Sequence, residues 1–483
     1  MTDLDRCLLV RMRGHAITDE LAAWSRDGLG GVILYRDNIR DQEQLRTLIA
    51  DLRAASPDLL VAVDDEGGDI TRLEAATGSS YPGHRALGAI DDPALTRDVA
   101  AAIGGELAAL GVNLDLAPVA DVNTNPMNPI IGVRSFGADP AVVAAHSAAF
   151  VGGLQSRGVA ACAKHFPGHG DTDRDSHLTL PTVSRDEADL RRIDLPPFAA
   201  AIRAGVRSVM SAHVLVPALD TEPATVSERI LTGLLRAEMG FEGVVITDAL
   251  NMNAIQDTMG IEAGAVHAMS AGADLLCLDT DWETQQAVRH ALAREARSRP
   301  AFRARLTQAA ERVNALAAWV DPETEAEADP ALGLRAARRA LLVSTGDAAP
   351  LPLTGPPYVV QLRVTPDRAG IGGRAASLLA TLREFDPRVD GVTLTAEPDP
   401  DAVLPAAAGR PLVVAVRDAH RHDWQRRTIE GLCARRPDAV VVATGLPSDR
   451  DLAPGRFLCT YGGGRAQVRA AAEALLGAPE DGR

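Results

Sequence analysis

The sequence predicts two α/β domains, a (β/α)8 TIM-like barrel followed by a smaller α/β domain. Two observations predict this order. Short apolar runs alternate with longer amphipathic or alanine-rich stretches up to about residue 320, and the alternation resumes over a shorter length after an acidic, proline-bearing segment. We therefore expect a barrel domain over residues 1–320, a linker over 321–334 and a second domain over 335–483.

Eight short apolar runs in the first region are the candidate barrel strands. In chain order they are CLLVRM, GGVILY, LLVAVDDE, VNLDLAPV, VAACAKHF, RSVMSAHV, GVVITDAL and DLLCLD. Nearly continuous apolar strands that alternate with helices pair in parallel, through right-handed crossovers. Eight such units predict a closed barrel.

The segments between these runs are long enough for covering helices. Helices are expected at 42–55, 93–110, 140–156, 186–204 and 228–238, and a last one near 301–319. In the second region RALLVSTG, YVVQLRV, PLVVAVRD and AVVVATGLP predict buried parallel strands.

Composition excludes several classes of partner. The net charge of −16, without a basic cluster, argues against a nucleic-acid-binding surface. The first residues lack a basic region followed by a sustained apolar run, and no segment approaches the roughly 18 apolar residues of a membrane span. We expect a cytoplasmic protein with no membrane partner, whose five scattered cysteines are small core residues. The sequence indicates no oligomeric state.

Polar residues follow several of the predicted strands. The carboxyl ends of the strands, where barrel enzymes place their active sites, hold Asp64 to Glu66, Lys164, His165, His213 and Asp248. Asp248 follows an otherwise apolar strand, which suits a nucleophile, a base or a metal ligand as well as a structural carboxylate. Lys164 is the only lysine among 49 Lys and Arg residues, so a compact ammonium is indicated there rather than a guanidinium.

The stretch KHFPGHGDTDRDSH, residues 164–177, is too polar and glycine-rich for a helix or strand. Its aspartates at 171, 173 and 175 have calcium-loop spacing, but Ser176 and Thr182 stand where that loop needs Gly and Glu. Its three histidines lack the helical spacing that would fix a zinc site. We therefore expect no metal and no other cofactor.

Asp175 and His177 form the better candidate, an acid/base dyad. An aspartate that accepts a hydrogen bond from one imidazole nitrogen leaves the other nitrogen free to exchange a proton. The charged hydrogen-bonding groups expected around the same pocket suit a polyhydroxylated ligand; they are Asp64, Arg72, Arg134, Lys164 and His165. With Asp248 as nucleophile, the predicted reaction is retaining glycoside cleavage.

The motifs resemble glycoside hydrolase family 3, in particular its bacterial β-N-acetylglucosaminidase branch. VDDEGGDITRL is similar to the family's D-Q-E-G-G-R-V-x-R, and the other matching stretches are LDLAPVADVN, IGVRSFG, KHFPGHGDTDRDSH and ITDALNM. Asp65 stands where the family usually has Gln, and Asp69 where it usually has Arg. The second region resembles a shortened form of the family's α/β sandwich, at AVVVATGLPSD and TYGGGRAQVRAAAEALLG.

The resemblance implies roles for these residues. It makes Asp248 the nucleophile, His177 the acid/base and Asp175 its partner. It assigns binding of the N-acetylglucosamine hydroxyls and acetamido group to Asp64, Arg72, Arg134, Lys164 and His165. The function it implies is an exo-acting β-N-acetylglucosaminidase, with peptidoglycan-derived GlcNAc–MurNAc fragments as substrate. Two alternatives stay open: a phosphorylase that uses phosphate as acceptor, and a non-catalytic sugar-binding protein.

Overall fold

The computed structural model describes residues 3–174, 179–322, 329, 331–345, 350–364 and 376–477. The chain forms two compact units. The first, the barrel unit, comprises Met1–Glu66, Asp92–Ile131 and Ser135–Asp329. The second, the sandwich unit, comprises Gly67–Asp91, Gly132–Arg134 and Pro330–Arg483.

The barrel unit contains an eight-stranded sheet in the order β7-β6-β5-β4-β3-β2-β1-β8, and every pair within it is parallel. An isolated parallel bridge between Ile246 and Leu275 joins its two ends, so the sheet is a nearly closed barrel. The predicted fold class is confirmed. The strands are β1 (Leu8–Arg11), β2 (Gly31–Ile33), β3 (Leu60–Val63), β4 (Leu114–Asp115), β5 (Ala160–Phe166), β6 (Ser208–Ser211), β7 (Val244–Thr247) and β8 (Leu276–Leu278).

Helices separate the barrel strands, and they include those predicted at 42–55, 93–110, 140–156 and near 301–319. They are α1 (Asp3–Arg6), α2 (Asp19–Arg26), α3 (Gln42–Ala55), α5 (Pro93–Leu110), α6 (Pro140–Gln155), α7 (Glu187–Asp189), α8 (Leu195–Arg203), α9 (Asn253–Met259), α10 (Ile261–Ala271), α11 (Trp282–Ser298) and α12 (Pro300–Trp319); α4 (His84–Ile90) belongs to the sandwich unit. Asp41, Asp92, Asp139 and Asp281 begin four of them, each accepting a backbone N–H of the first turn. The starts at Asp41, Asp92 and Asp139 belong to predicted helices, whereas the helix that begins after Asp281 was not predicted.

Two helical segments differ from the regular α-helices that the sequence predicts. Residues Leu190–Asp194, within the predicted helix 186–204, form a π-helical turn between α7 and α8. Residues Arg229–Glu238, predicted as a helix over 228–238, are π-helical throughout. Periodicity alone does not distinguish the two, because a wider turn shifts side chains only gradually around the helix.

The strands of the barrel unit carry its core. Fully or nearly buried side chains from all parts of the barrel sheet pack together with the last turns of α12; they include Leu9, Ile33, Leu60, Leu114, Cys162, Met210, Ile246, Cys277, Val313 and Leu316. This burial explains the near-continuous apolar character of the strands. All five cysteines are buried and free, as predicted.

The sandwich unit contains a six-stranded sheet in the order β11-β10-β12-β13-β14-β9. Its strands are β9 (Leu342–Ser344), β10 (Tyr358–Leu362), β11 (Asp390–Leu394), β12 (Leu412–Val416), β13 (Val440–Ala443) and β14 (Arg456–Cys459). The expectation of a buried parallel strand in RALLVSTG is wrong, because β9 pairs antiparallel with β14 at the sheet's edge and its Leu342 and Val343 are exposed. Strands β11 and β14 were not predicted.

Alternate residues of the central strands enter two separate cores. Val360, Val414 and Val441 pack on one face of the sheet, whereas their neighbours Val359, Val413 and Val440 pack on the other. The sheet is therefore covered on both faces, as in a three-layer sandwich. The remaining helices of this unit are α13 (Leu332–Ala340), α14 (Leu378–Phe385), α15 (Pro400–Val403), α16 (Asp423–Arg435) and α17 (Arg465–Leu476).

The domain limits 1–320, 321–334 and 335–483 stay a prediction, with two observations beside them. Helix α13 begins at Leu332, inside the expected linker. Segments 67–91 and 132–134, which lie inside the predicted barrel domain, are part of the sandwich unit. Within the described ranges, no helix has the length and apolar character needed to cross a lipid bilayer.

Candidate active site

Four of the predicted site residues lie at one edge of the barrel sheet. Asp64 directly follows β3, Lys164 and His165 lie near the end of β5, and Asp248 directly follows β7. Because all eight strands are parallel, these carboxyl ends share one edge of the barrel. The strand ends in the structure are consistent with the expectation that the active site lies at the carboxyl ends of the barrel strands.

Lys164 is the centre of a buried charge cluster. Its Nζ lies 2.7 Å from Asp64 Oδ1 and 2.7 Å from Glu66 Oε1, and the lysine and glutamate side chains are each only 2 % exposed. A buried ammonium is tolerated when carboxylates compensate its charge, and its compact shape lets two of them approach one nitrogen. This geometry accounts for the single lysine of the chain.

The backbone of Asp65 contacts a second buried carboxyl group, that of Asp115. The backbone N–H of Asp65 donates to Asp115 Oδ1 over 2.9 Å, and both side chains are buried. Burial raises the pKa of Asp115 well above its usual range, and the charge of Asp65 raises it further, while Lys164 opposes both. The raised pKa favours the neutral form of Asp115, which limits the negative charge collected around Lys164.

Asp121 holds the first part of the histidine-rich loop, the stretch of residues 164–177. Its Oδ2 lies 2.7 Å from His165 Nδ1, and its Oδ1 accepts the backbone N–H of His169 over 2.7 Å. Burial alone would raise the pKa of Asp121, but His165 and His169 outweigh it and hold the pKa below its usual range. The ionised carboxylate fixes Nδ1 of His165 as the protonated nitrogen, and so fixes the orientation of the ring.

His169 is unsuited to proton transfer at neutral pH. Burial lowers its pKa to about 4, against the opposing charge of Asp121. Its Nδ1 lies 2.8 Å from Thr172 Oγ1, inside the loop. His169 therefore acts as a neutral hydrogen-bonding group that shapes the loop.

Hydrogen bonds fix the backbone around Asp248. Its N–H donates to the carbonyl of Ser211 over 3.1 Å, and its Oδ1 accepts the N–H of Ala249 over 2.8 Å. The buried His213 ring donates from Nε2 to the Ala249 carbonyl over 3.0 Å, since a carbonyl can only accept. The half-buried carboxylate of Asp248 is thereby held at the end of β7.

Arg185 links the stretch 164–177, through Asp171, to two other parts of the barrel unit. Arg185 Nη2 lies 3.0 Å from Asp171 Oδ1, its Nε lies 3.1 Å from Asp194 Oδ2, and it also donates to the Thr124 hydroxyl. Asp194 ends the π-helical turn and is 1 % exposed. Burial raises the pKa of Asp194 to about 7, although Arg185 opposes this rise and Asp121 adds to it.

The remaining predicted site residues fall into two groups. Arg72 and Arg134 belong to the sandwich unit. Asp175 and His177 lie outside the described residues, so their dyad stays a prediction. Among the residues that are described, no group of three or more His, Cys, Asp or Glu side chains is arranged to hold a metal ion.

Sequence reasoning assigned no role to three groups that contact the predicted site residues or the stretch 164–177. They are Glu66, Asp121 and Arg185. Glu66 and Asp121 lie inside the motifs VDDEGGDITRL and LDLAPVADVN, so an unassigned carboxylate in each motif was the available signal. Arg185 gives no such signal, because it lies beyond the loop motif among ordinary surface charges.

The barrel matches a known family. The model of the glycosyl hydrolase family 3 N-terminal domain matches residues 7–316. A β-hexosaminidase A of Pseudoalteromonas piscicida is 39 % identical over 273 residues, which are 52 % of this chain and 46 % of that protein. A β-hexosaminidase of Chromobacterium violaceum is 39 % identical over 295 residues, 59 % of this chain and 82 % of its own length.

A solved structure extends the likeness to both units. The family 3 β-N-acetylglucosaminidase of Paenibacillus sp. str. FPU-7 is 33 % identical, with a TM-score of 0.89 over 98 % of this chain and 96 % of that one. The sandwich unit is thus included in the match. The chain belongs to glycosyl hydrolase family 3, and it is a glycoside hydrolase.

Proposed function

We propose that the protein is a retaining, exo-acting β-N-acetylglucosaminidase that removes terminal N-acetylglucosamine from the non-reducing end. The observation that carries the proposal is the fixed carboxylate of Asp248 at the end of β7, on the same barrel edge as the Lys164 cluster. The β-hexosaminidase relatives and the Paenibacillus β-N-acetylglucosaminidase support the choice of sugar.

In the first step Asp248 is the nucleophile. One of its oxygens attacks the anomeric carbon and forms a glycosyl ester, while the bond from that carbon to the leaving oxygen breaks. His177 gives its proton to the leaving oxygen. Asp175 accepts a hydrogen bond from the other ring nitrogen and so favours the protonated imidazole.

In the second step the roles of the imidazole reverse. Neutral His177 takes a proton from water, and the water oxygen attacks the anomeric carbon. The ester bond to Asp248 breaks and restores the carboxylate. Two inversions at one carbon give net retention of configuration.

The sugar-binding set combines both signs of charge. Asp64 and Lys164 together offer acceptors and donors for hydroxyl groups, and the fixed ring of His165 adds another polar edge. Arg72 and Arg134 complete the proposed set, with the acetamido group as one of its targets. We infer that the natural substrates are GlcNAc–MurNAc fragments of peptidoglycan. Cytoplasmic location stays a prediction of the sequence.

The test is replacement of Asp248 by Asn, assayed with a chromogenic aryl β-N-acetylglucosaminide. We expect turnover to fall by about three orders of magnitude or more while sugar binding persists, because the ester cannot form. Asp279→Asn is the matched control, since Asp279 directly follows the neighbouring strand β8 and pairs with Arg11. A fluorinated sugar that traps the intermediate should label the peptide containing Asp248. Labelling of any other residue would refute the assignment.

Product analysis separates this proposal from its two alternatives. A histidine acid/base, neutral or positive, does not repel an incoming phosphate as a carboxylate would. Free N-acetylglucosamine as product, with and without phosphate, supports hydrolysis, whereas the sugar 1-phosphate would make the enzyme a phosphorylase. Sugar binding with no turnover of any glycoside would identify a non-catalytic binding protein.

A further inference from the structure

The charge at position 69 is unexpected and has two partners in the sandwich unit. Asp69 Oδ2 lies 2.6 Å from Arg417 Nη2, and Asp69 Oδ1 accepts the backbone N–H of Gly463 over 2.6 Å. The aspartate side chain is 5 % exposed and that of the arginine 19 %. An arginine at position 69, which the family usually has, would face Arg417 with like charge at this distance.

The position of this carboxylate in the sandwich fold is informative. Arg417 directly follows β12, and Gly463 directly precedes Gly464, the N-cap of the twelve-residue helix α17. Parallel α/β sheets commonly hold anions at the carboxyl ends of their strands and at helix N-termini. In this chain the side chain of Asp69 itself occupies such a position.

The backbone next to Asp69 packs too closely for side chains. A Cβ on Gly68 would lie 2.7 Å from the backbone of Gly83, and one on Gly464 would lie 3.1 Å from the Cα of Gly68. Gly68 has a φ of 60°, which also favours glycine. The ion pair therefore acts on a segment that is already in tight backbone contact.

The far part of the same segment has its own contacts with α17. Glu74 accepts from the Ser80 hydroxyl over 2.6 Å and pairs with Arg465 at the start of the helix. The N–H of Ala466 donates to the Ser79 carbonyl over 3.2 Å. Arg72 lies between these two sets of contacts, three residues after Asp69 and two before Glu74.

We propose that Asp69 and Arg417 are positioning residues that dock segment 67–91 on the sandwich sheet and so fix Arg72 for sugar binding. The sugar-binding role of Arg72 rests on the proposed function, whereas the docking itself does not. The proposal assigns a positioning role to a charge pair that lies within the sandwich unit. It also makes the departure at Asp69 one half of a complementary charge pair.

The experiment uses the full chain with Asp69→Asn, Asp69→Arg and the double exchange Asp69→Arg with Arg417→Asp. The matched control is Arg427→Gln, which breaks the exposed ion pair of Arg427 with Glu397 in the same unit, whose side chains are 51 % and 41 % exposed. Amide hydrogen exchange of peptides from segment 67–91 measures docking without any need for activity. KM and kcat for an aryl β-N-acetylglucosaminide measure its consequence.

We expect Asp69→Arg to raise exchange in this segment about 100-fold and KM at least tenfold, with a smaller change in kcat. Asp69→Asn should do the same more weakly, since it keeps an acceptor for Gly463, and it serves if the arginine variant does not fold. The double exchange should recover most of both effects, and Arg427→Gln should change neither.

Two results would overturn the inference. Unchanged exchange in segment 67–91 of the Asp69 variants would exclude docking by the pair. Faster exchange with an unchanged KM would mean that the pair is structural only. An inactive wild-type chain that binds no N-acetylglucosamine would instead refute the proposed function. The exchange data would still show whether the ion pair docks segment 67–91.

Discussion

Asp194 makes the stability of the barrel unit depend on pH around neutrality. Its carboxyl is buried beside Arg185 and against Gly168, where a Cβ would lie 2.9 Å from the Asp194 side chain. Burial raises its pKa from the ordinary 3.8 to about 7. Between these two values the folded chain holds a proton that the unfolded chain has released. This contribution to stability is complete below pH 4 and is lost as pH rises through 7.

The magnitude follows from the slope of about 1.4 kcal/mol per pH unit for one proton. Between pH 5 and pH 8 the free energy of unfolding should fall by about 2.5 kcal/mol because of Asp194 alone. Asp194→Asn removes this loss, since an amide does not titrate. The difference in stability between the two proteins should therefore move by that amount in favour of the variant as pH rises.

Urea denaturation at several pH values measures the difference, followed by tryptophan fluorescence because Trp24, Trp282 and Trp319 belong to the barrel unit. Asp257→Asn is the control, an exposed aspartate of helix α9 in the same unit. The free energy of unfolding of this control should change with pH in the same way as that of the wild type. If the Asp194→Asn profile is parallel as well, Asp194 is ionised throughout and its ion pair with Arg185 outweighs burial.

Two further predictions concern the active site itself. His177→Ala should strongly reduce cleavage of a disaccharide but spare formation of the intermediate from an aryl glycoside, whose phenolate leaves without a proton. Asp175→Ala should show the same pattern more mildly. Equal losses of activity on both substrates in His177→Ala would mean that His177 positions the sugar. Lys164→Met should cost about 3–5 kcal/mol in urea denaturation because it removes the buried ammonium that both Asp64 and Glu66 contact. Lys164→Arg should cost about 1–3 kcal/mol by overpacking, and wild-type kcat/KM in that variant would show that any cation suffices.

The barrel could be predicted because local signals agree there with the final fold. Helix α5 begins at an aspartate cap followed by Pro93, and β7 is an apolar run that ends at Asp248. Each signal needs only a few neighbouring residues. The carboxyl-end rule then placed Asp64, Lys164 and Asp248 at one edge without knowledge of any contact.

The edges of the second sheet could not be predicted in the same way. Strand β11, DGVTL, carries polar and half-exposed residues because it lies at an edge, so it lacks an apolar run. Strand β9 has apolar residues but is exposed at the opposite edge, so its apolar letters indicated burial wrongly. Edge position depends on strand order, which local sequence does not contain.

The unit to which segment 67–91 belongs could not be predicted from the sequence. The sequence placed Arg72 in a barrel domain that ends at residue 320, whereas the segment that carries it is part of the sandwich unit. The ion pair that docks the segment joins residues 348 positions apart, and no local pattern links one aspartate to one arginine over that distance. Only Asp69 itself indicated such a pair, because an acidic residue where the motif usually has a basic one suggests a basic partner. A chain that ended at residue 320 would keep Asp248 and Lys164 but would lose the partners that hold Asp69 in place.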